Sequence, residues 1–484
     1  MRHILHKVSL VLLHVLFFQT LCAEVRLPKI VSSNMVLQRD AEVTLWGWAD
    51  PNEKIEIEAS WLDKELKLAA DEQGKWKVVV KTTLSKLRQN IKIKSSSSDI
   101  KLENILFGEV WVCSGQSNML QPMSGYKGQP TFGSQMAIAK SYNSNLRMFH
   151  VERVGSFTAL DDVEKTSGWQ MATPEKVTEF SAVGYFFAAQ LQEILNVPVG
   201  VIHTSWGGSK VEAWMSKEVL SAYEEINLEG VDLSNDTRRI PTVLFNAMIH
   251  PLTSYTIKGV LWYQGESNRK EPAKYRDTFP AMVKDWRNRW GIGDFPFYYV
   301  QIAPYIYEGN DKFQEKENSA FIREVQLQCL DLIPNSGMAV TLDVGDSACI
   351  HPPKKKEVAD RLLLNALSQT YDIKGLDCAS PIFASQEITD GSILLQFDHA
   401  ETGLFSYGLL TGFEIAGADH VFYRAQAKII DRIKVQVNSD QVPEPVAVRY
   451  GWSNWVQGTL FDTNLLPASS FRTDNWEEAT RIKK

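Results

Sequence analysis

Four short polar segments carry the residue types from which chemistry could be built: Ser114-Gly-Gln-Ser-Asn118, Ser205-Trp-Gly-Gly-Ser209, Gln264-Gly-Glu-Ser-Asn268 and Asp343-Val-Gly-Asp-Ser-Ala-Cys-Ile-His351. Each follows an apolar, strand-like run. Polar loops at strand ends are common, so no single segment is informative. Together they supply a serine, glycines, an asparagine and a histidine, the parts of a serine esterase site. A serine hydroxyl is a weak nucleophile until a base accepts its proton. Ser117, in a turn after Gly115, is the candidate nucleophile. Past the leader the chain has six histidines: His150, His203, His250, His351, His399 and His420. Only His351 follows a strand end in a loop, ahead of Pro352-Pro353 and a helix, and it is the candidate base. The tetrahedral intermediate needs donors aimed at its oxyanion, each worth about 10²–10³ in turnover. The backbone N–H groups of Ser117 and Gly208 and the side-chain amide of Asn268 are the candidates. A carboxylate orients the histidine in triads generally, and Asp343 and Asp346 are near enough in sequence to serve.

Other residues are weighed against plainer roles. Trp206 and Trp214 offer apolar faces on which a sugar could stack, but Trp214 is expected to be core. Arg269-Lys270 could attract a sugar carboxylate, although adjacent charges usually mark a solvated loop, as does Lys354-Lys-Lys356. Met119 stands where the last glycine of G-x-S-x-G belongs, so this is not the nucleophile elbow of ordinary α/β-hydrolases. No H-E-x-x-H, no cysteine pair and no phosphate-binding G-x-x-x-x-G-K-[ST] occurs, so neither a metal nor another cofactor is expected.

The elements that must position these segments follow from periodicity. Residues 24–104 alternate at period two (Glu42–Trp48, Lys54–Glu58, Gly74–Val80, Asn90–Lys94), which predicts a small antiparallel β-domain. From residue 105 to 370, strand-like runs alternate with helical spacing. Strands are expected at Glu109–Cys113, Val199–His203, Lys258–Trp262, Phe297–Ile302 and Gly337–Leu342. Helices are expected at Ala182–Leu195, Val243–Ile249, Tyr275–Trp290, Ser319–Leu330 and Lys355–Leu367. Such alternation predicts an α/β domain with a parallel sheet covered on both faces, binding its ligand at the carboxyl ends of the strands. Residues 371–484 return to strand patterns at Ser392–Phe397, Lys428–Val437 and Val446–Tyr450, predicting a C-terminal β-region.

The 484 residues are 44% hydrophobic and 23% charged, with 51 basic and 58 acidic side chains giving a net charge of −7. This is globular composition. Without a basic patch, nucleic acid is not an expected partner. Aromatic residues reach 11%, with 14 tryptophans, as β-sandwich cores or sugar-stacking surfaces would require. Residues 1–23 have a basic start, an apolar Val8–Phe18 run and a small residue at Ala23, the pattern of a secretory signal peptide. The run is shorter than the roughly 20 apolar residues of a membrane span. Export to the periplasm or the cell exterior is expected, with cleavage after Ala23. Lipidation at Cys22 is the alternative, and Thr20-Leu21 fits it poorly. The remaining Cys113, Cys329, Cys349 and Cys378 are scattered, so one bridge is possible and buried thiols are at least as expected.

Gly115-Gln-Ser-Asn-Met119, Gly265-Glu-Ser-Asn268 and Ile350-His-Pro352 resemble the motif blocks of SGNH-type hydrolases and, more narrowly, the sialate O-acetylesterase family of carbohydrate esterases. Asn34-Met-Val-Leu-Gln-Arg39, Val43–Trp48, Gly412-Phe-Glu-Ile-Ala-Gly417 and Val448-Arg-Tyr-Gly-Trp452 extend the resemblance over nearly the whole chain past the leader. It implies a flavodoxin-like SGNH core flanked by β-sandwich-like regions and metal-free serine chemistry that removes acetyl groups from sugar hydroxyls. By position it implies Ser117 as nucleophile, His351 as base, and Gly208 and Asn268 in the oxyanion hole. Ala348 departs from the usual D-x-x-H, leaving Asp343, Asp346 or a backbone carbonyl to orient the imidazole. Gln116 and Glu266 are expected either to touch substrate or to stabilise the loops. The expected partner is an O-acetylated sugar, foremost 9-O-acetylated sialic acid. Acetylated xylan or another glycan is the alternative substrate, and a non-catalytic glycan-binding protein is the alternative class.

Overall fold

The computed structural model describes residues 24–223, 232–233, 236–307, 318–476 and 480–481. The expected signal peptide and Cys22 lie outside the described residues. Seven strands form the central layer: β1 (Asp99–Gly115), β2 (Asn143–Val151), β3 (Thr166–Ala172), β4 (Val199–Ser205), β5 (Gly259–Tyr263), β6 (Phe297–Val300) and β7 (Ser336–Ala339). Their order is β7-β6-β5-β1-β4-β2-β3. All neighbours are parallel except β3, which runs antiparallel to β2. Without the outer pair β2–β3, the remaining strands follow the order 2-1-3-4-5, which reverses at β1 and opens a crevice there.

Alternate residues of β1 face opposite sides of the sheet, and both sides are apolar. Val110 and Val112 join one core with Trp262, Phe279, Trp286 and Ile322, whereas Trp111 and Cys113 join the other with Val183, Phe187, Val358 and Leu362. This explains why the strands read as unbroken apolar runs. Helices α3 (Pro272–Trp290) and α4 (Ser319–Leu332) cover the first side, and α2 (Ala182–Leu195) and α5 (Lys355–Asn365) cover the second. The four-residue helix α1 (Ser117–Leu120) caps the end of β1.

The flanking regions are all β. β1 extends ten residues upstream of the expected Glu109 start, to Asp99. Its first half pairs with Gln89–Lys94 of the N-terminal sheet, and its second half lies between β4 and β5. The expected boundary at 104/105 therefore falls inside one continuous strand. The C-terminal region has a four-stranded and a five-stranded sheet, whose faces meet where Phe383 and Phe397 pack on Phe471. Three expectations change. Lys428–Val437 is a hairpin of Gln426–Asp431 and Lys434–Asn438. The helix at Val243–Ile249 is a short π-turn over Phe245–Ile249 that meets Pro251. β3 was not anticipated. The four cysteines past the leader are all free thiols.

Candidate active site

All four polar segments meet at the carboxyl ends of β1, β4 and β5 and past β7, tied by buried hydrogen bonds. The N–H of Gln116 donates to Tyr263 O at 2.9 Å, and Trp206 N–H donates to Gly115 O at 3.0 Å. Gln116 Oε1 accepts from Gly265 and Ser267 N–H at 3.4 and 3.3 Å. Gln264 Nε2 donates to Ser209 O at 3.0 Å. Gly115 has φ +136°, and a Cβ there would stand 2.2 Å from Tyr263 O. Only glycine lets β1 turn against β5 at this point.

Ser117 is the half-buried first residue of α1, and a Cβ on Gly207 would lie 3.2 Å from its own Cβ. The Trp206–Ser209 loop is thus laid against the candidate nucleophile. Gly208 has φ +76° and packs on the Arg238 guanidinium. No acceptor among the described residues takes the N–H of Ser117 or Gly208. Tyr126 bridges to His351: its hydroxyl donates to Ser117 O at 3.0 Å, and its ring meets the imidazole edge-on at 5.2 Å. Burial keeps the Tyr126 phenol protonated. A second tie runs from Asn118 Nδ2 to Ile350 O at 3.2 Å.

Neither aspartate hydrogen-bonds the imidazole. Both Asp343 oxygens pair with Arg361, at 2.8 and 2.7 Å. Asp346 Oδ1 accepts from the N–H groups of Ala348 and Cys349, capping the turn that delivers His351. His351 Nδ1 instead lies 2.6 Å from Gln129 Oε1. Since a carbonyl oxygen only accepts, Nδ1 carries the proton and Nε2 keeps its lone pair. Burial first, then the nearby Lys355, push the imidazole down to about 4, so it is neutral at pH 7.

Other residues singled out from sequence are placed as follows. Asn268 is buried, with Oδ1 accepting from Val211 N–H and Gln264 Nε2 and Nδ2 donating to Glu212. Its amide thus holds the Val211 segment in place. Gln116 and Glu266 are buried and tie the loops together, the loop-stabilising alternative of the two expected for them. Lys355, taken as part of a solvated run, is fully buried, and Nζ donates to Asn118 Oδ1 at 2.6 Å. Trp206 is half-buried at the rim, and Arg269 stacks on Tyr307 at 4.0 Å. Trp214 is core, as expected. Tyr126 and Gln129 escaped the sequence reading because their loop has no periodicity. Lys355 could have been read from helical phase, since it shares a stripe with Val358, Ala359 and Leu362. Among the described residues, no group of three or more His, Cys, Asp and Glu side chains is placed to hold a metal ion.

Residues 107–352, which contain all four segments, match the family model described as carbohydrate esterase, sialic acid-specific acetylesterase. The chain belongs to this family. It is a carboxylic ester hydrolase by that membership, with relatives of the same kind. Sialate O-acetylesterase of mouse is 27% identical over 92% of this chain and 94% of the mouse protein. The human protein of that name is 28% identical over 89% and 88%. The crystal structure of a carbohydrate acetylesterase from Xanthomonas citri is 35% identical and superposes with a TM-score of 0.85, over 93% of this chain and all of that one. The region matched by the family model thus spans the crevice at β1, and the flanking β-regions are part of the architecture shared with the bacterial esterase. No helix among the described residues is long and apolar enough to cross a membrane.

Proposed function

We propose that the protein is an exported SGNH-type serine esterase that removes O-acetyl groups from sugar hydroxyls, 9-O-acetylated sialic acid foremost. The observation that carries this reading is the Tyr126 bridge, which fixes Ser117 and His351 against each other while Gln129 leaves Nε2 of the imidazole available. In the proposed cycle Nε2 takes the Ser117 proton as Oγ attacks the acetyl carbonyl. The N–H groups of Ser117 and Gly208 stabilise the oxyanion. The imidazolium then protonates the departing sugar oxygen, leaving an acetyl-serine. Water, deprotonated by the same imidazole, releases acetate and restores Ser117. Gln129 takes the place of an acid in orienting His351, and Asn268 holds Val211 and the Gln264 amide that in turn holds Ser209 of the Gly208 loop.

The 2-1-3-4-5 order, with Ser117 just past the central strand, supports the SGNH assignment. The family description and the names of the mammalian relatives support a sialic acid substrate. Half-buried Trp206 at the rim is suited to stacking on a sugar face, and Arg269 to its carboxylate. The test is acetate release by the purified protein from 9-O-acetylated sialic acid and, in parallel, from acetylated xylan fragments. Ser117→Ala should lower turnover on the order of 10⁴-fold or more while ligand binding persists. Release from the sialic acid alone supports the full reading. Release from xylan alone keeps the mechanism and moves the substrate. Release that Ser117→Ala does not reduce, or none from either substrate, overturns the reading.

A further inference from the structure

Beneath Ser117 lies a buried chain of polar groups with no direct part in the cycle above. Lys355, at the first position of α5, sends its ammonium into the protein, where Nζ donates to Asn118 Oδ1 at 2.6 Å. Asn118 Nδ2 donates to Glu266 Oε1 at 2.6 Å and to Ile350 O at 3.2 Å. The other Glu266 oxygen is buried and has no hydrogen-bond partner among the described residues. The Tyr263 ring lies 5.7 Å from Nζ. Lys355, Asn118 and Glu266 come from three separate elements, and Asn118 neighbours the nucleophile as Ile350 neighbours the base.

Three physical costs coincide at Lys355. A cation at a helix N-terminus opposes the helix dipole. Full burial of an ammonium is unfavourable unless it is paired. The carboxylate that balances it is reached only through an intervening amide, and replacing both buried charges by apolar groups of like size is commonly neutral or stabilising. Burial accordingly pulls the Lys355 amine down to about 7 and pushes the Glu266 carboxyl up. What the arrangement secures is orientation. With Oδ1 held by Nζ and Nδ2 facing the Ile350 carbonyl, the Asn118 amide cannot flip, and its two N–H bonds join the Ser117 turn to Glu266 and to the His351 segment.

We propose that Lys355 is a positioning residue that locks Asn118 between itself and Glu266, registering the Ser117 turn against the His351 segment. Its charge adds to the burial that lowers the proton affinity of the His351 imidazole. The inference rests on the serine-esterase reading for its consequence in turnover, though not for its effect on the imidazole. The groups facing Lys355 are Asn118, Glu266, Tyr263 and the Cys349 thiol; those facing His351 are Gln129, Tyr126 and Lys355.

The test uses Lys355→Met together with the double variant Lys355→Met/Glu266→Gln, which removes both buried charges and keeps the fold where the single change does not. Two quantities are read on the whole chain. One is the pH dependence of kcat/KM on p-nitrophenyl acetate, and the other is the NMR titration of the His351 imidazole, assigned by its loss in His351→Gln. Loss of the ammonium should move the acid limb and the imidazole titration upward together, with kcat falling more than KM rises. An unmoved titration, with activity lost uniformly across pH, overturns the proposal and leaves Lys355 as structure only. If the wild-type protein shows no serine-dependent hydrolysis, the esterase reading fails, and the titration still decides the role of Lys355.

Discussion

In the proposed cycle His351 must be neutral to accept a proton, and its low affinity for protons would set the pH range over which Ser117 is activated. With the imidazole held at about 4, against about 6.5 for an unperturbed histidine, the acid limb of kcat/KM should lie near pH 4. The sign for stability follows from the same shift. Between about 6.5 and 4 the unfolded chain takes up a proton that the folded one refuses, so the contribution of this group to stability is lost as pH falls through that window. Replacing Gln129 tests what orients the ring. Gln129→Ala should lower kcat by up to roughly 10²-fold, within the 10²–10⁴ that a positioned base supplies. Gln129→Glu places a carboxylate on Nδ1 and should move the acid limb to higher pH. Asp343→Asn should lower the melting temperature by loosening Arg361 and leave the limb where it is. An acid limb that moves with Asp343 and not with Gln129 would overturn this assignment. Ser117 and His351 could be singled out from sequence as candidates because nucleophile and base are restricted to a few residue types. Gln129 could not, since an amide that orients a ring through one hydrogen bond is indistinguishable in sequence from any loop glutamine.

At the scale of elements, the position of the nucleophile depends on how closely β1 approaches β5. Gly115 sits where a side chain would collide with Tyr263 O, in a left-handed backbone conformation. Gly115→Ala should therefore cost at least about 1–3 kcal/mol from backbone strain and pull Ser117 away from the Trp206–Ser209 loop. A lowered melting temperature with disproportionate loss of kcat is the expected outcome, and an unchanged kcat would show that the turn tolerates displacement. Elements with one clean period were legible: α2 runs over Ala182–Leu195 and the strand Glu42–Trp48 keeps its bounds, both as spacing predicted. Legibility failed where the local pattern runs through a structural break. Ala427, Ile429, Ile433, Val435 and Val437 suggest one strand, yet the chain reverses at Arg432-Ile433, with no glycine or proline to mark the turn. β3 was hidden for the opposite reason. It is an edge strand that contains Gly168 at positive φ and register shifts against β2, so it lacks the alternation of a half-buried strand.

Across the whole molecule, the C-terminal β-region is fastened to the catalytic layer by Arg323 of α4. Fully buried, its guanidinium donates to Gly451 O, Ser453 O, Ser470 Oγ and Ser319 Oγ. The N-terminal region is joined in a different way, through β1 itself. A chain beginning at residue 105 would strip β1 of its pairing with Gln89–Lys94 and of the parallel contact with Val36–Gln38. Such a truncation should fail to yield a soluble, cooperatively unfolding protein, and limited proteolysis of the intact chain should release no stable fragment beginning there. A stable catalytic fragment from either experiment would show that the two layers fold apart. A strand shared by two sheets also constrains how such a protein can be inherited. Recombination that exchanged the N-terminal module at that boundary would cut through the strand leading to Ser117, so a hybrid should lose the placement of the candidate nucleophile along with the module.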